Sequence, residues 1–385
     1  MNTSGKKIVY LITSLTFGGA ETQLYRLSIS FKQRGWNVKV VSMCTPQAFD
    51  KELRDKGIVV YSLNMTKGVI DPRALFQLVG ILKKERPDVL HSHMVHANLL
   101  ARISRLFVPV PAVICTAHNI YEGGAHRNWW YKLTDFLCDM TTQVSEAGLK
   151  KYISLKIVHP SKILFIPNGV EMEIFRKDLQ AGDRVKEALG LHGHFIWLAV
   201  GRFQEAKDYS NMINAFAIVC KQEGTAILLI VGEGDLFHEI KTLADKLGIS
   251  SRVRFLGIRR DIPDLMSAAD AYVMSSAWEG MPMVLLEAAA CELPIVATDV
   301  GGNKETLKDG ETGFLVLPKE SDQLADSMLK LMALSHEKRL VMGRAGRKYV
   351  EGKFSLGHVV DRWSDLYQRL SKKRTTIDDI GQRTG

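Results

Sequence analysis

Short apolar runs alternate with amphipathic stretches along the first half of the chain. Runs rich in Val, Ile and Leu are typical of buried strands, and the stretches between them repeat their apolar residues at the spacing of a helix. The predicted strands cover residues 7–14, 37–44, 59–63, 89–93, 112–117, 141–144 and 163–166. The predicted helices cover residues 21–34, 74–85, 98–106 and 131–137.

The same alternation begins again in the second half. Because its apolar runs are continuous, the strands are expected to be parallel and covered by helices on both faces. The fold class predicted for the whole chain is therefore α/β, with two doubly wound, Rossmann-like domains. The second set of strands covers residues 195–200, 226–231, 253–256, 271–275, 295–298 and 313–316, and its helices cover residues 209–222, 237–247, 262–268 and 282–291.

A seam near residues 167–190 separates the two patterns, and its portion 176–187 is polar and rich in charge. We expect an N-terminal domain over residues 1–170 and a C-terminal domain over residues 171–355. Ligands of doubly wound sheets bind at the carboxyl ends of the strands. The sequence therefore predicts a site in the loops that follow the strands, with the two domains facing across a cleft.

Composition and charge narrow the class of protein. The chain has 385 residues, of which 46% are hydrophobic, and a net charge of +9. That charge suits phosphate-bearing substrates or an anionic membrane surface, and the absence of a zinc-finger or RNA-recognition signature argues against nucleic acid. No apolar run approaches the roughly 18 residues of a membrane span, and no secretion signal is present, so we expect a cytoplasmic protein. Five scattered cysteines indicate neither disulfides nor structural zinc.

Glu279 and Glu287 stand on either side of a predicted helix start. Gly280 and Pro282 end a polar loop, and proline suits the first position of a helix. The backbone N–H groups near residues 283–285 would lack intrahelical partners and lie at the positive end of the helix dipole, which suits a phosphate. Carboxylates on both sides of a phosphate are placed to accept from hydroxyl groups. A ligand with hydroxyls on both sides of a phosphate is a nucleotide sugar.

Two further strand ends carry candidate phosphate contacts. Arg202 and Lys207 follow a strand directly after Gly201, and a guanidinium fork with an ammonium group matches a diphosphate. The alternative is two solvated cations in a surface loop. Gly232 and Gly234 follow the next strand as half of a nucleotide-binding fingerprint, although a plain turn explains them nearly as well.

The first half contributes paired glycines and several histidines. Gly18 and Gly19 open the first helix, where they either let backbone N–H groups approach a phosphate or form a turn that needs positive φ. His118 follows a strand and can orient a hydroxyl or act as acid or base, although a lone histidine is more often structural. The spacing of His91, His93 and His96 does not match a helical zinc site, so no metal is expected.

Residues 126–132 mix cations with aromatic side chains, including Trp129 and Trp130. Such a segment suits a membrane interface or the stacking of sugar rings. The alternative is the start of a helix whose Trp side chains enter the core.

Taken in their order along the chain, these motifs resemble the family-4 retaining glycosyltransferases of GT-B fold. The resemblance extends over nearly the whole chain and is most specific over residues 279–305, which include Gly301-Gly302-Asn303-Lys304-Glu305. Residues 168–170 are similar to the interdomain marker of the family. The resemblance also implies that residues 356–385 form a last helix, near 358–370, which crosses back to the first domain, and a basic tail.

By that resemblance, Arg202 and Lys207 hold the donor diphosphate, and Glu279 contacts the transferred sugar. Glu287 accepts hydrogen bonds from the ribose, and His118 lies beside the reacting sugar. The candidate catalytic residues are thus His118, Glu279, Arg202 and Lys207. The other donor-binding residues implied are Gly18, Gly19, Gly201, Gly232, Gly257, Ile258, Gly280, Met281, Pro282, Met283, Val284 and Leu285.

The reaction implied is a retaining transfer of a hexose or N-acetylhexosamine from a nucleotide-diphosphate donor, UDP-linked, to an acceptor hydroxyl. The expected acceptor is a lipid-linked oligosaccharide or a growing cell-surface polysaccharide, met at the inner face of the plasma membrane. No metal or other cofactor is expected. Two alternatives stay open: a catalytically silent sugar-nucleotide-binding or interaction module, and a nucleotide-sugar epimerase.

One residue departs from the family pattern. Glu292 stands after the Ala-rich helix, where the family usually has glycine. If the left-handed conformation is kept there, Glu292 costs on the order of 1 kcal/mol.

Overall fold

The computed structural model describes residues 5–66, 69, 71–120 and 123–381, apart from the side chains of residues 125 and 373–381. The chain divides into two compact units. The first domain runs up to Asn168 and resumes at Leu356, and the second domain is Gly169–Ser355. Most side chains of the predicted basic tail lie outside this description.

The described part of the first domain contains a parallel sheet of seven strands in the order β3-β2-β1-β4-β5-β6-β7. The strands are β1 (Lys7–Ile12), β2 (Asn37–Cys44), β3 (Val59–Met65), β4 (Val89–His93), β5 (Ala112–Ala117), β6 (Met140–Gln143) and β7 (Ile163–Phe165). The helices between them are α1 (Gly19–Gln33), α2 (Asp50–Asp55), α3 (Arg73–Glu85), α4 (Val95–Ser104), α5 (Gly124–Leu133) and α6 (Glu146–Ser154).

The second domain repeats this arrangement with a parallel sheet in the order β10-β9-β8-β11-β12-β13. Its strands are β8 (Phe195–Val200), β9 (Ala226–Val231), β10 (Val253–Phe255), β11 (Ala271–Met274), β12 (Ile295–Thr298) and β13 (Gly313–Val316). Its helices are α7 (Leu179–Leu189), α8 (Tyr209–Gln222), α9 (Phe237–Lys246), α10 (Ile262–Ala268), α11 (Met283–Ala290), α12 (Asn303–Thr306), α13 (Ser321–Met332) and α14 (His336–Phe354). The predicted α/β class with two doubly wound sheets is confirmed.

The continuous apolar strands contribute side chains to two separate hydrophobic cores, one on each face of the sheet. In β1, Ile8 and Tyr10 face a core on one side of the sheet, and Val9 and Leu11 face a separate core on the other side. Alternate side chains of a strand point to opposite faces, so a strand that is covered on both faces typically reads as a continuous apolar run. This explains why the strand predictions from the sequence were accurate.

The last helix, α15 (Leu356–Gly381), packs against the first sheet. Its residues Val359, Val360, Trp363 and Tyr367 are buried in the same core as Ile8. The chain therefore completes the first domain with a segment that follows the second domain in sequence. No helix in the part of the chain described is both long and apolar enough to span a membrane.

The predicted helix over residues 131–137 is wrong in its position. Helix α5 begins at Gly124 and ends at Leu133, and a short 3-10 turn follows over Asp135–Leu137. Gly123, the N-cap, and Gly124, the first residue of α5, both have positive φ, a conformation that glycine adopts without strain. The hydroxyl of Thr134 donates to the carbonyl of Trp130 at 2.7 Å and helps to end it.

The polar seam also contains a helix that the sequence did not predict. In α7, Asp178 caps the first turn by accepting from the N–H of Ala181 at 3.0 Å, and Gly190 ends the helix at φ 60°. A Cβ added to Gly182 would meet the carbonyl oxygen of Ser267 at 2.6 Å, so α7 packs closely on α10. The small residues Ala181 and Gly182 lie on the buried face of α7.

Candidate donor site in the second domain

The second sheet has its topological switch point between β8 and β11, which are neighbours although they are not consecutive in sequence. The loops that leave these strands run to opposite sides, which opens a crevice at the carboxyl edge. Residues 201–208 follow β8, and residues 275–282 follow β11. The candidate residues in the first of these loops are Gly201, Arg202 and Lys207, and those in the second are Glu279, Gly280, Met281 and Pro282.

Lys207 and Glu279, from the two loops, form an ion pair. The Nζ atom of Lys207 lies 2.6 Å from Oε1 of Glu279, and the hydroxyl of Ser276 donates to the same oxygen at 2.8 Å. The side chains are only 21% and 12% exposed, respectively. Oε2 of Glu279 takes no part in these two contacts, so the carboxylate keeps acceptor capacity toward a ligand.

Backbone contacts hold the two loops in place. The hydroxyl of Ser275 donates to the carbonyl groups of Lys207 and Asp208 at 2.9 and 2.8 Å. The N–H of Ala277 donates to the carbonyl of Ala206 at 2.8 Å. These bonds fix the backbone that carries Lys207, so the ion pair rests on a preorganised frame. Sequence reasoning missed Ser275 and Ser276, which differ from other strand-end serines only in what lies beside them.

Helix α11 begins one residue later than predicted. Pro282 is the N-cap residue, in extended conformation, and Met283 is the first helical residue. The N–H groups of Met283 and Val284 therefore have no intrahelical acceptor, whereas the N–H of Leu285 is 3.3 Å from the carbonyl of Pro282. These two N–H groups are the backbone donors that the predicted anion site would use. The side chains of Met281, Met283 and Leu285 are buried, so these residues offer a ligand their backbone only.

Glu287 lies in the second turn of α11 and is buried. Gly280 holds the loop before the helix, because its carbonyl accepts from the N–H of Gly302 at 2.8 Å. Thr298, at the end of β12, donates its hydroxyl to the carbonyl of Ser276 at 2.7 Å. The candidate site is thus tied to a third strand of the sheet.

Three candidate glycines form a row across neighbouring strand ends. The N–H of Gly201 donates to Val231 at 2.9 Å, and the N–H of Gly232 donates to Gly257 at 2.9 Å. Gly232 has φ 143°, and a Cβ there would collide with the carbonyl oxygen of Gly201. Close backbone packing therefore requires glycine at position 232, whatever it contributes to a ligand.

Close backbone packing also requires glycine at position 234. Gly234 has φ 156°, and a Cβ would lie 2.5 Å from the carbonyl oxygen of Phe203. A closely packed turn is therefore enough to explain why glycine stands at positions 232 and 234.

Two further candidate side chains are exposed. The Ile258 side chain, next to Gly257, is half exposed. The Arg202 side chain is exposed and makes no hydrogen bond or ion pair with any described residue.

Glu292 does adopt the left-handed conformation, at φ 60°. Its carbonyl oxygen would collide with a Cβ at Gly343 of α14, so the backbone is held by close packing. Arg344 approaches the Glu292 carboxylate only to 4.0 Å, and this arginine is largely exposed. The strain expected from the sequence is therefore present and is little compensated.

In the first domain, Gly18 is the N-cap of α1 and Gly19 its first residue. Gly18 has φ −167°, which any residue can adopt, and neither glycine has positive φ. The alternative that explained them by a positive-φ turn is therefore wrong. The three atoms nearest to a Cβ at Gly18 would belong to the Glu21 carboxylate, the closest at 2.5 Å, and this carboxylate accepts from the Thr16 hydroxyl at 2.8 Å.

His118 directly follows β5 and is buried. Its Nε2 atom lies 2.9 Å from Nδ1 of His93, which ends β4. Burial lowers the pKa of His118 to about 4 and holds the pKa of His93 well below its usual range. Both imidazoles are therefore neutral near pH 7.

His91 belongs to a neighbouring network that reaches the last helix. Its Nδ1 lies 2.7 Å from the hydroxyl of Tyr367 in α15, and its Nε2 lies 2.6 Å from the hydroxyl of Thr116. His96, by contrast, lies on the exposed face of α4. The three histidines therefore do not form one cluster, and no group of three metal-ligating side chains occurs within the residues described.

The aromatic residues of the 126–132 segment divide between surface and core. Trp129 and Trp130 are 56% and 46% exposed, with ring centroids 5.0 Å apart, whereas Tyr131 is buried. The alternative that placed the two Trp side chains in the core is therefore wrong. Leu133 and Phe136, one and two turns further along, are also exposed.

Comparison with known proteins agrees with this arrangement. Residues 17–174 match the family described as Glycosyltransferase Family 4, and residues 183–349 match Glycosyl transferases group 1. The UDP-Gal:alpha-D-GlcNAc-diphosphoundecaprenol alpha-1,3-galactosyltransferase of Escherichia coli is 30% identical over 77% of this chain and 79% of its own length. The D-inositol 3-phosphate glycosyltransferase of Mycobacterium avium (strain 104) is 32% identical over 93% of this chain and 91% of its own.

Among solved structures, Anabaena HepE in complex with UDP and glucose superposes with a TM-score of 0.85 at 20% identity, over 94% of this chain and 100% of that one. At this identity the likeness establishes the fold, which is that of the GT-B glycosyltransferases. The sequence matches extend through both domains. The chain belongs to the family-4, group 1 glycosyltransferases.

Proposed function

We propose that the protein is a retaining glycosyltransferase that moves a hexose or N-acetylhexosamine from a UDP-linked donor to an acceptor hydroxyl. The proposed acceptor is a lipid-linked oligosaccharide or a growing cell-surface polysaccharide. The single observation that carries the donor site is the Lys207–Glu279 ion pair beside the open N-terminus of α11. It combines cation, carboxylate and backbone donors at the switch point of a doubly wound sheet.

The charges fit the leaving group of a sugar transfer. In the proposed site, Arg202 and Lys207 contact the diphosphate, and the N–H groups at the start of α11 add further donors. When the bond to the sugar breaks, negative charge builds on the diphosphate, and preorganised positive charge lowers the energy of that state. We propose that this charge makes a metal ion unnecessary and that the departing phosphate helps to remove the acceptor proton.

The carboxylates fit the two sugars of the donor. Glu279 has one oxygen engaged by Lys207 and Ser276, and the other is proposed to accept from hydroxyls of the transferred sugar. Glu287, buried in α11, is proposed to accept from the ribose, and the exposed side chain of Ile258 offers an apolar face to the base. We assign Gly18, Gly19 and His118 to the donor as contributions of the first domain.

A relative supports the choice of donor and acceptor. The Escherichia coli enzyme, by its name, takes UDP-Gal and acts on a sugar linked to diphosphoundecaprenol. A nucleotide donor with a lipid-linked acceptor is therefore the first pair to test for this chain. We keep the sugar general, because at 30% identity the residues around the sugar hydroxyls can differ.

The exposed aromatic segment of α5 suits a lipid acceptor held in a membrane. Trp129, Trp130, Leu133 and Phe136 project apolar surface, and Trp side chains favour the boundary between lipid and water. Lys132 between them is exposed. The neighbouring carboxylates of Asp135 and Asp139 each lie within 4.0 Å of a cation, Lys162 and Arg105, respectively. We propose that this surface contacts anionic lipid at the inner face of the plasma membrane.

The test is a turnover assay with a panel of UDP- and GDP-linked sugars, with and without a polyprenyl-diphosphate-linked N-acetylglucosamine acceptor. We expect release of UDP, a product whose anomeric configuration by NMR equals that of the donor, and no loss of rate in EDTA. Turnover of no donor under any condition would contradict the enzyme assignment. Conversion of the donor to an epimer without transfer would support the epimerase alternative instead.

A further inference from the structure

His93 lies directly behind His118, and the sheet itself brings them together. Strands β4 and β5 are parallel neighbours in which His93 is paired with Thr116, two residues before His118. The two rings are nearly parallel, with an interplanar angle of 27° and centroids 5.2 Å apart. Their contact joins Nδ1 of His93 to Nε2 of His118 at 2.9 Å. His93 is fully buried, so it can reach a ligand only through His118.

This contact leaves two arrangements of the ring protons. A neutral imidazole has one N–H and one lone pair, and a hydrogen bond needs one of each. In the first arrangement, His93 donates from Nδ1 to Nε2 of His118, and His118 carries its own proton on Nδ1. In the second arrangement, His118 donates from Nε2 to Nδ1 of His93, and His93 carries its own proton on Nε2. The two arrangements give His118 opposite chemical character at its second nitrogen.

The surroundings of His93 distinguish the two. Its Nε2 atom is buried and has no hydrogen-bond partner among the described residues. If His118 donated, that atom would be a buried N–H group without an acceptor, whereas if His93 donates it is only a lone pair. Buried donors without a partner are rarer in proteins than buried acceptors without one. The geometry therefore favours His93 as the donor.

We propose that His93 is a positioning residue that holds His118 as the neutral Nδ1–H tautomer. Resting on the proposed function, this means that His118 does not act as a proton acceptor, because its Nε2 accepts from His93 and its Nδ1 carries the proton. The deprotonation of the acceptor hydroxyl then falls to another group, which agrees with the role proposed for the leaving diphosphate.

His91 provides a matched control. It lies on the same face of β4, two residues before His93, and the two ring centroids are 4.2 Å apart. Both of its nitrogens are engaged, by Tyr367 and Thr116. A His91→Phe variant keeps a ring beside His93 and removes those two bonds. We expect it to weaken the attachment of α15 without changing the tautomer of His118.

The direct test is ¹⁵N NMR of the full-length protein labelled at histidine, which identifies the protonated nitrogen of each ring. We expect His118 to carry its proton on Nδ1 in the wild type and in H91F, and to lose this preference in H93L. H93N, whose amide can place an N–H near the former Nδ1, should restore it. A proton on Nε2 of His118 in the wild type would overturn the proposal. The wild-type spectrum decides the point even if H93L does not fold.

Kinetics give a second readout. H93L should lower kcat about tenfold or more while the donor KM changes little, because it affects orientation and not donor binding. The double variant H93L/H118A should be no slower than H118A alone, since His93 acts through His118. Independent, additive losses would contradict the proposal. If the wild type turns over no sugar nucleotide, the proposed function fails, and the NMR result still decides the tautomer.

Discussion

The carboxyl edges of the two sheets differ in the kind of polar group they hold. The second domain presents charge, with the Lys207–Glu279 pair and the exposed Arg202. The first domain holds neutral imidazoles, His91, His93 and His118, packed in the interior. Two sheets of the same topology thus provide a charged edge, suited to a diphosphate, and a neutral edge, suited to hydroxyl groups. The following predictions test that difference, from the largest expected effect to the smallest.

Mild acid should destabilise the first domain selectively. Burial lowers the pKa of His91, His93 and His118, so below about pH 6.5 the unfolded state binds protons that the folded state does not, and stability falls as pH falls. Between pH 6.5 and 5 each histidine contributes up to about 2 kcal/mol. Hydrogen exchange, corrected for intrinsic rates, should show lost protection in β4 and β5.

The second domain is the internal control for this measurement, because none of its histidines is buried: those at positions 192, 238 and 336 are exposed, and the one at position 194 is partly exposed. Equal loss of protection in both domains, or in neither, would contradict the contrast between a neutral and a charged edge.

Glycine substitutions should separate packing from ligand approach. Gly232→Ala places a Cβ against the Gly201 carbonyl at positive φ and should cost about 3 kcal/mol in denaturant unfolding. Gly18→Ala should cost much less, because the Glu21 side chain can move and φ is extended. Gly224→Ala, where nothing lies within 4 Å of the added Cβ, is the control. A Gly18 variant as unstable as the Gly232 variant would refute this distinction.

The aromatic surface of the first domain should bind lipid. The double variant W129S/W130S should lower partitioning onto phosphatidylglycerol vesicles by about tenfold or more, because apolar area leaves the membrane boundary. Donor hydrolysis without lipid should not change. Leu179→Ser, which alters an exposed apolar residue of the second domain, should have no effect on partitioning. Unchanged binding in the double variant, or self-association that it abolishes, would assign the surface to something other than lipid.

The smallest effect is expected at Glu292. Glu292→Gly should stabilise the second domain by up to about 1 kcal/mol in thermal unfolding, since it relieves a left-handed conformation. Glu292→Ala keeps the strain and removes the carboxylate, so it should not stabilise. If the alanine variant gains as much as the glycine variant, charge rather than backbone conformation is responsible.

The sequence predicted the strands far better than the contacts between them. Both sheets were predictable because strands such as β9 are apolar at every position and others such as β5 nearly so, and a short apolar run of that kind is typical of a buried strand. The Lys207–Glu279 pair was not predicted as a pair, since it joins residues 72 positions apart through the loops of β8 and β11. Tyr367 could not be connected with His91 at all, because 276 positions separate them and only the packing of α15 brings them together.

Among the site residues, too, features set by neighbours in sequence were predicted, and features set by contacts distant in sequence were not. The helix start at Pro282 was predicted to within one residue, because proline and the Ala-rich run are local signals. The glycines at 232 and 234 have their strongest reason in the backbone of residues 201 and 203, which no local pattern reveals.

The central claim is that Glu279 acts on the transferred sugar while UDP is held by other groups. The most direct measurement compares Glu279→Ala and Glu279→Gln with the wild type, by donor turnover and by calorimetric titration of UDP. We predict a loss of turnover of about 100-fold or more, with UDP affinity within about threefold of the wild type or tighter, because Lys207 keeps its proposed contact with the diphosphate and loses a competing carboxylate. A loss of UDP affinity equal to the loss of turnover, or full transfer activity in both variants, would contradict the account.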